Sequence, residues 1–120
     1  MASLERKELD QPDETRPVEK GRVEVVNLAR GTVMRTTFEP GWRWSECVKP
    51  VVGGSSCQVD HFGYCISGEM HVVMDDGDEM DVGPGMAIRI PPGHDAWVVG
   101  EEPYVGVDFT GGEEFARRES

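Results

Sequence analysis

Apolar and polar residues alternate along much of the chain with a period of two. Between residues 57 and 97 apolar side chains recur at every second position in three runs: Phe62, Tyr64, Ile66; Met70, Val72, Met74; and Met86, Ile88, Ile90. This spacing is typical of strands that turn one face towards a core. Apolar or alternating runs at residues 23–28, 32–38 and 104–109 predict further strands.

Tight turns are predicted between these strands. Ser67-Gly68, Gly83-Pro84-Gly85 and Pro91-Pro92-Gly93 combine residues that tolerate positive φ with residues that fix φ in advance. Asp76-Gly77, between two apolar runs, is a two-residue hairpin signal. Short strands joined by many turns indicate an all-β protein.

Several of these residues match a known family. The run YCISGE at residues 64–69, a hairpin, Gly83-Pro84-Gly85 and the run IPPGH at residues 90–94 resemble the core of the cupin family. The resemblance implies an all-β fold, a single cupin-type jelly-roll β-barrel, here with a charged, loosely ordered N-terminal arm. Many cupins hold a divalent metal inside the barrel. The fold hosts many unrelated activities, so the activity has to be argued from the site.

The length of 120 residues suits one domain. We predict a charged arm over residues 1–20, the cupin barrel over residues 21–112 and a short tail over residues 113–120. The arm mixes both charges with two prolines and few apolar side chains, which favours a disordered or loosely docked segment. The alternative is an arm that wraps a partner subunit through Leu4, Leu9 and Val18.

The net charge of the chain excludes several classes of partner, and its cysteine content indicates a cellular compartment. A formal net charge of −11 argues against binding to nucleic acid or to an anionic membrane surface, since either needs a basic patch. No apolar run approaches the length of a membrane span, and the charged N-terminus is unlike a signal peptide. Three cysteines cannot all pair within the chain, so we expect free thiols and a cytoplasmic location.

The resemblance also implies where metal ligands would stand. In the family pattern a His-x-His pair and a Glu precede the Gly-Glu turn, and a last His follows the Pro-x-Gly turn. Here the Glu position falls on His61. The His positions fall on Ser55 and Cys57 with the shorter family spacing, or on Gly54 and Ser56 with the longer one, which cannot form a comparable site. The last His position falls on Ala96, with His94 two residues earlier. The usual set of four ligands is therefore absent.

Cys57, His61 and His94 nevertheless form a candidate metal site. Cys57 and His61 share strand parity, and His94 lies in the turn near which the family places its last ligand. A thiolate with two imidazoles suits zinc, with iron as the other candidate, and three protein ligands leave a position open. The candidates for a fourth ligand are Asp60, Glu46, Cys47 and Gln58. Alternatively, the histidines are hydrogen-bonded barrel residues and Cys57 is a small buried hydrophobe.

Four aromatic residues are candidates for contact with a ligand: Trp42, Trp44, Tyr64 and Trp97. Trp42 and Trp44 lie two apart and would share one face of a strand. They are expected either to pack in the core or to form an aromatic wall at the barrel mouth.

The sequence is therefore interpreted as a small single-domain cupin that binds a small molecule inside the barrel, with or without a divalent metal. The alternative is a metal-dependent enzyme of the dioxygenase, isomerase or cyclase type that acts on a small organic substrate. A purely structural interaction module is a third hypothesis. A homodimer is expected, because the edge strands of such a barrel need cover.

Overall fold

The computed structural model describes residues 3–110 and 115–116, which form mainly β-strands. The described residues form nine strands and two four-residue helices: β1 Glu14–Val18, β2 Gly21–Asn27, β3 Thr32–Phe38, α1 Trp44–Cys47, α2 Lys49–Val52, β4 His61–Ser67, β5 Glu69–Met74, β6 Glu79–Val82, β7 Ala87–Ile90, β8 His94–Val99 and β9 Tyr104–Asp108.

The strands form two antiparallel sheets that share one core. The larger sheet has the strand order β1-β2-β3-β9-β4-β7 and the smaller one the order β6-β5-β8. Val23 and Met34 of the larger sheet and Val72 and Val82 of the smaller one are at most 2% exposed and belong to the same apolar cluster. Alternating residues on the inner faces meet in the middle, as in a jelly roll. The predicted all-β jelly-roll barrel is confirmed.

Both helices lie in the connection between β3 and β4. Arg43 makes only an isolated bridge to Trp97, so no strand ladder continues through this segment, and α1 starts at Trp44. A strand that carries Trp42 and Trp44 on one face is therefore not formed. Both indoles are still buried, each 2% exposed. Within the described part of the chain, no helix is long and apolar enough to cross a membrane.

Part of the predicted N-terminal arm belongs to the larger sheet. Strand β1 pairs antiparallel with β2, and Arg16 on β1 is only 6% exposed. Residues 3–13 form neither helix nor strand. Of the predicted tail over residues 113–120, only Phe115 and Ala116 are among the described residues, and both are buried. The remainder of the tail prediction lies outside the described residues.

Strand β4 turns its apolar side away from the core. Its outward side chains are half exposed, at 56%, 46% and 50% for Phe62, Tyr64 and Ile66. The inward positions include His61 and Cys65, which are buried, and Gly63. A side chain at Gly63 would collide with the backbone of Val107 on β9, so only glycine fits there. The expectation that the apolar side of β4 faces the core is wrong, because inward space is taken by β9 and by polar cavity residues.

The β5–β6 hairpin turns at the predicted residues. The Met74 N–H donates to the Asp78 carbonyl at 2.7 Å, and Gly77 has a φ of 95°. Glycine adopts this positive φ without the steric cost that a side chain would add. The hairpin predicted at Asp76-Gly77 is confirmed.

Candidate metal centre

Three buried side chains of metal-ligand type converge inside the barrel. One ligand atom each from Cys57, His61 and His94 lies within 4.8 Å of the other two. His61 is the first residue of β4 and His94 is the first residue of β8. Cys57 precedes β4 and forms an isolated bridge with His94, in which the Cys57 N–H donates to the His94 carbonyl at 2.7 Å. This bridge brings the loop before β4 to the start of β8.

Hydrogen bonds fix the ring nitrogen that each histidine can offer. His61 Nδ1 lies 2.7 Å from a carboxylate oxygen of Asp108. His94 Nδ1 lies 2.8 Å from the Pro91 carbonyl oxygen. Both partners accept hydrogen bonds, so Nδ1 carries the proton in both rings and Nε2 is left as the ligand atom. The arrangement of His61 and Asp108 is the carboxylate–histidine pair that commonly orients a metal ligand.

The three donors fit a divalent metal. Ligands of a tetrahedral zinc ion at about 2.0–2.3 Å lie roughly 3.5 Å from one another. Cys57 Sγ and His61 Nε2 are 3.7 Å apart, which is close to that separation. Sulfur with two imidazole nitrogens is a donor set that zinc and iron accept. These residues would hold such an ion with at least one coordination position left for a ligand.

The metal-free cluster carries a charge pair. Burial raises the pKa of Cys57, but the neighbouring His61 and His94 outweigh it and lower that pKa to about 6. Burial lowers the pKa of His61, but Asp108 and Cys57 outweigh it and raise that pKa to about 9. Between these values Cys57 is a thiolate and His61 an imidazolium. A thiolate is the form in which cysteine binds metals.

An inner cavity of about 40 Å³ lies beside the two histidines. Its wall is mostly apolar and aromatic, with a polar end: Thr36, Phe38, Trp42, Trp44, His61, Met70, Ile88, Ile90, His94, Ala96, Tyr104, Asp108 and Phe115. The volume is enough for a few water molecules or a very small organic group. The arrangement of a dry wall and a few convergent polar groups is typical of small-molecule sites.

The four aromatic residues expected to contact a ligand separate into two pairs. Trp42 and Trp44 line the cavity. Tyr64 points outward from β4, and Trp97 lies on the outer side of β8, where the Arg43 guanidinium sits 4.3 Å from its ring centre. Neither of these two lines the cavity, because both occupy the outward positions of their strands.

The candidates for a fourth ligand lie outside the cluster. Asp60 is bound to Arg89 on the surface, with 3.1 Å between the charged groups. Gln58 donates to Ser56 Oγ at 3.0 Å. Glu46 and Cys47 do not belong to the cluster of metal-ligand side chains found among the described residues.

Asp108 and Phe115 are site residues that the sequence did not single out. Asp108 holds His61, and the Phe115 ring lies 4.9 Å from the His61 ring. The alternation of β9 contained a signal for Asp108, since it shares parity with the buried Tyr104 and not with the apolar residues Val105 and Val107. Phe115 directly follows two glutamates in a charged tail and carries no comparable signal.

Part of the chain matches the model of a known family, and the whole fold is found in solved structures. Residues 56–109 match the family model described as a cupin domain. A protein of unknown function from Rhizobium leguminosarum is 16% identical with a TM-score of 0.65, over 91% of this chain and 97% of that chain. KdgF from a Halomonas species is 20% identical with a TM-score of 0.53, over 82% of this chain and 80% of that chain.

Larger proteins contain the same fold. The oxalate decarboxylase of Lactobacillus farciminis is 16% identical with a TM-score of 0.58, over 82% of this chain but only 31% of that chain. At such identities these structures show the fold alone. No curated protein sequence matches the chain. Residues 56–109 therefore resemble a cupin domain, and the chain as a whole shares its jelly-roll fold with these structures.

Proposed function

We propose that the barrel binds a small molecule at a divalent metal ion held by Cys57, His61 and His94. The observation that carries the proposal is the convergence of three buried donors within 4.8 Å, with both imidazoles held in the tautomer that frees Nε2. Zinc is the first candidate and iron the second. A metal here supplies a Lewis acid with a coordination position open to a ligand atom.

The cavity limits the kind of ligand. Its apolar, aromatic wall and small volume favour a compact organic molecule. Trp42 lines the cavity, and its indole N–H is buried and has no hydrogen-bond partner among the described residues. An unsatisfied buried donor costs about 1–3 kcal/mol, so an acceptor atom on a ligand or water would stabilise the site. We infer a small organic ligand with at least one carboxylate or carbonyl oxygen.

A metal-dependent enzyme of the dioxygenase, isomerase or cyclase type is the second candidate. The open position beside a dry cavity favours it, because a bound substrate atom would be polarised there. Oxalate decarboxylases among the proteins of the same fold are named as enzymes, although this chain spans only about a third of their length. Catalytic turnover of a bound molecule, and not binding alone, would favour this reading.

Cobalt(II) tests the proposed site directly. Adding cobalt to the metal-free protein is expected to produce a thiolate-to-cobalt charge-transfer band together with the intense visible bands of a tetrahedral ion. Small carboxylates added afterwards are expected to shift the visible bands, because one coordination position is open. The absorption spectrum reports both events in one titration.

Cys57→Ala and Cys47→Ala form a matched pair for this titration. Both cysteines are buried, at 2% and 4% exposed, but only Cys57 belongs to the cluster. The charge-transfer band is expected to disappear in Cys57→Ala and to persist in Cys47→Ala. A band that persists in Cys57→Ala would contradict the proposed ligand set, and visible bands that no carboxylate shifts would contradict the open position.

We also propose that two copies of the chain associate through the outer face of β4. Phe62, Tyr64 and Ile66 project there about half exposed, so together they present roughly 300 Å² of mainly apolar surface. Arg89 and Asp60 form a neutral ion pair beside them, so this face avoids the repulsion expected from a net charge of −11. A stable dimer buries about 800 Å² per partner, which the surrounding sheet face would complete.

Light scattering at micromolar concentration is expected to give the mass of a dimer. Tyr64→Lys places a charge in the centre of this face and is expected to shift the mass to that of a monomer. Met80→Lys, at an exposed position on β6 of the smaller sheet, is the control and is expected to leave the dimer intact. A monomeric wild-type protein would contradict the proposal.

A further inference from the structure

We propose that Phe115, held in place by Arg16, closes the inner cavity above the Cys57/His61/His94 cluster and sets the upper limit on the size of the ligand. The size limit rests on the function proposed above, whereas the closure of the cavity does not. Neither the strand pattern nor the family match, which ends at residue 109, includes this residue.

Phe115 lies over the cluster although it comes from beyond the last strand. Its side chain is 3% exposed, and its ring meets the His61 ring edge-on at 4.9 Å between centres. The centre of the Phe38 ring, which also lines the cavity, is 6.3 Å from that of Phe115. An aromatic ring in this position covers the imidazole that the Asp108 carboxylate orients.

Arg16 is the anchor for this segment. Its guanidinium donates through Nη1 to the Phe115 carbonyl at 2.7 Å, and through Nε and Nη2 to the Glu14 carboxylate at 2.8 and 3.1 Å. The Arg16 side chain is only 7% exposed. Burying a guanidinium is costly unless its donors are satisfied, so this arrangement stabilises the protein only when residue 115 is in place. Arg16 thereby connects strand β1 to residue 115, which comes after strand β9.

Phe115 also separates two spaces. The inner cavity of about 40 Å³ is lined by His61, His94, Trp44 and Phe115. A surface pocket of about 320 Å³ is lined by Cys57, Trp44 and Phe115. Trp44 and Phe115 line both spaces and therefore form the wall between them. Of the three candidate metal ligands, His61 and His94 line the inner cavity and Cys57 lines the surface pocket. Removing the phenyl ring would join the small cavity to the larger pocket.

Thiol labelling tests the closure without any metal or activity. Purified metal-free protein is treated with a bulky aromatic disulfide reagent, and the rate at each cysteine is read by peptide mass spectrometry. Phe115→Ala is expected to accelerate labelling of Cys57 roughly tenfold or more, because Cys57 is only 2% exposed and loss of the ring widens the pocket that both residues line. Phe109→Ala is the matched control, since that phenylalanine is 53% exposed and outside the cavity wall.

Cys47 and Cys65 serve as internal standards, because both are buried and neither lines the two spaces. Acceleration confined to Cys57 supports the closure. Equal acceleration at all three thiols would show that Phe115 is core packing alone and would overturn it, as would an unchanged rate at Cys57. Arg16→Met is expected to act in the same direction as Phe115→Ala, whereas Arg16→Lys retains a charge that can reach the Phe115 carbonyl and is expected to act less.

The size limit is tested separately on the cobalt-loaded protein. Formate and acetate are expected to shift the visible absorption of the wild type and of Phe115→Ala, whereas benzoate is expected to shift that of the variant only. Benzoate binding equally well to both proteins would overturn the size limit. Selective labelling of Cys57 without any cobalt binding would leave the closure standing and remove the proposed function, so the two failures are distinguishable.

Discussion

Replacement of His61 by alanine is expected to lower the affinity of the protein for zinc by more than about 100-fold. Loss of a residue that only supports a ligand typically costs 10–100-fold, and loss of the ligand itself costs more. His61 also carries the link to Asp108, so the variant loses an oriented donor and leaves a half-buried carboxylate without its partner. Competition with a chromophoric chelator measures the affinity.

His71→Ala is the matched control for this substitution. His71 is also held by carboxylates, with its ring nitrogens 2.7 Å from Asp81 and 3.2 Å from Glu79, but it lies on the outer side of the smaller sheet. Its removal is expected to leave zinc affinity within about twofold of the wild type. Retention of tight zinc binding in His61→Ala would show that the site has been assigned to the wrong residues.

Zinc affinity is expected to rise about tenfold per pH unit between pH 6 and pH 9. In this range the metal-free cluster holds Cys57 as a thiolate, since its pKa is about 6, and His61 as an imidazolium, since its pKa is about 9. Each zinc ion must therefore displace one proton from His61. Below pH 6 a second proton, on Cys57, competes as well and the dependence becomes steeper. Above pH 9 the dependence on His61 ends.

Asp108→Asn tests the cause of this pH dependence. An asparagine oxygen can still accept the Nδ1–H of His61, but the charge that raises the pKa of His61 is removed. The upper limit of the rising region is expected to move from about pH 9 to lower pH, with little change in the fold. Affinities measured at pH 6.5, 7.5 and 8.5 in both proteins decide the question. A flat profile in the wild type, or identical profiles in the two proteins, would contradict the charge pair.

The sequence predicted the architecture well because its strands are short, regularly spaced and separated by glycine and proline turns. The Asp76-Gly77 hairpin and the strand at β3 needed only local information, since the period of two and the turn residues define them. The segment around Trp44 was harder. Two tryptophans at a spacing of two fit a strand, and only the isolated bridge between Arg43 and Trp97 shows why the ladder stops.

The pattern of apolar residues did not predict which face of β4 points into the core. Its apolar residues Phe62, Tyr64 and Ile66 face outward, while a histidine, a glycine and a cysteine face in. The usual rule is inverted here, because the inner positions include the site residue His61 and, at Gly63, the close approach of β9. Tyr64, which was expected to contact a ligand, therefore lies on the outer face.

The site was only partly predictable for a different reason. His94 stands two residues before the position that the family pattern gives to its last histidine. The bridge between Cys57 and His94 compensates for that shift by drawing both residues to one point. Contacts between residues far apart in the chain, such as those of Asp108 and Phe115 with His61, depend on the register of β9 and on the path of the tail. Neither is encoded in a local motif.

The metal content of the purified, untagged protein, measured by plasma mass spectrometry beside His61→Ala prepared in parallel, decides whether the barrel holds a metal. We expect about one zinc or iron ion per chain in the wild type, after purification or after incubation with the ion and removal of excess, and none in the variant. A wild-type protein that retains no metal after incubation with each ion, or a variant that retains as much as the wild type, would contradict the assignment of Cys57, His61 and His94 as a metal centre.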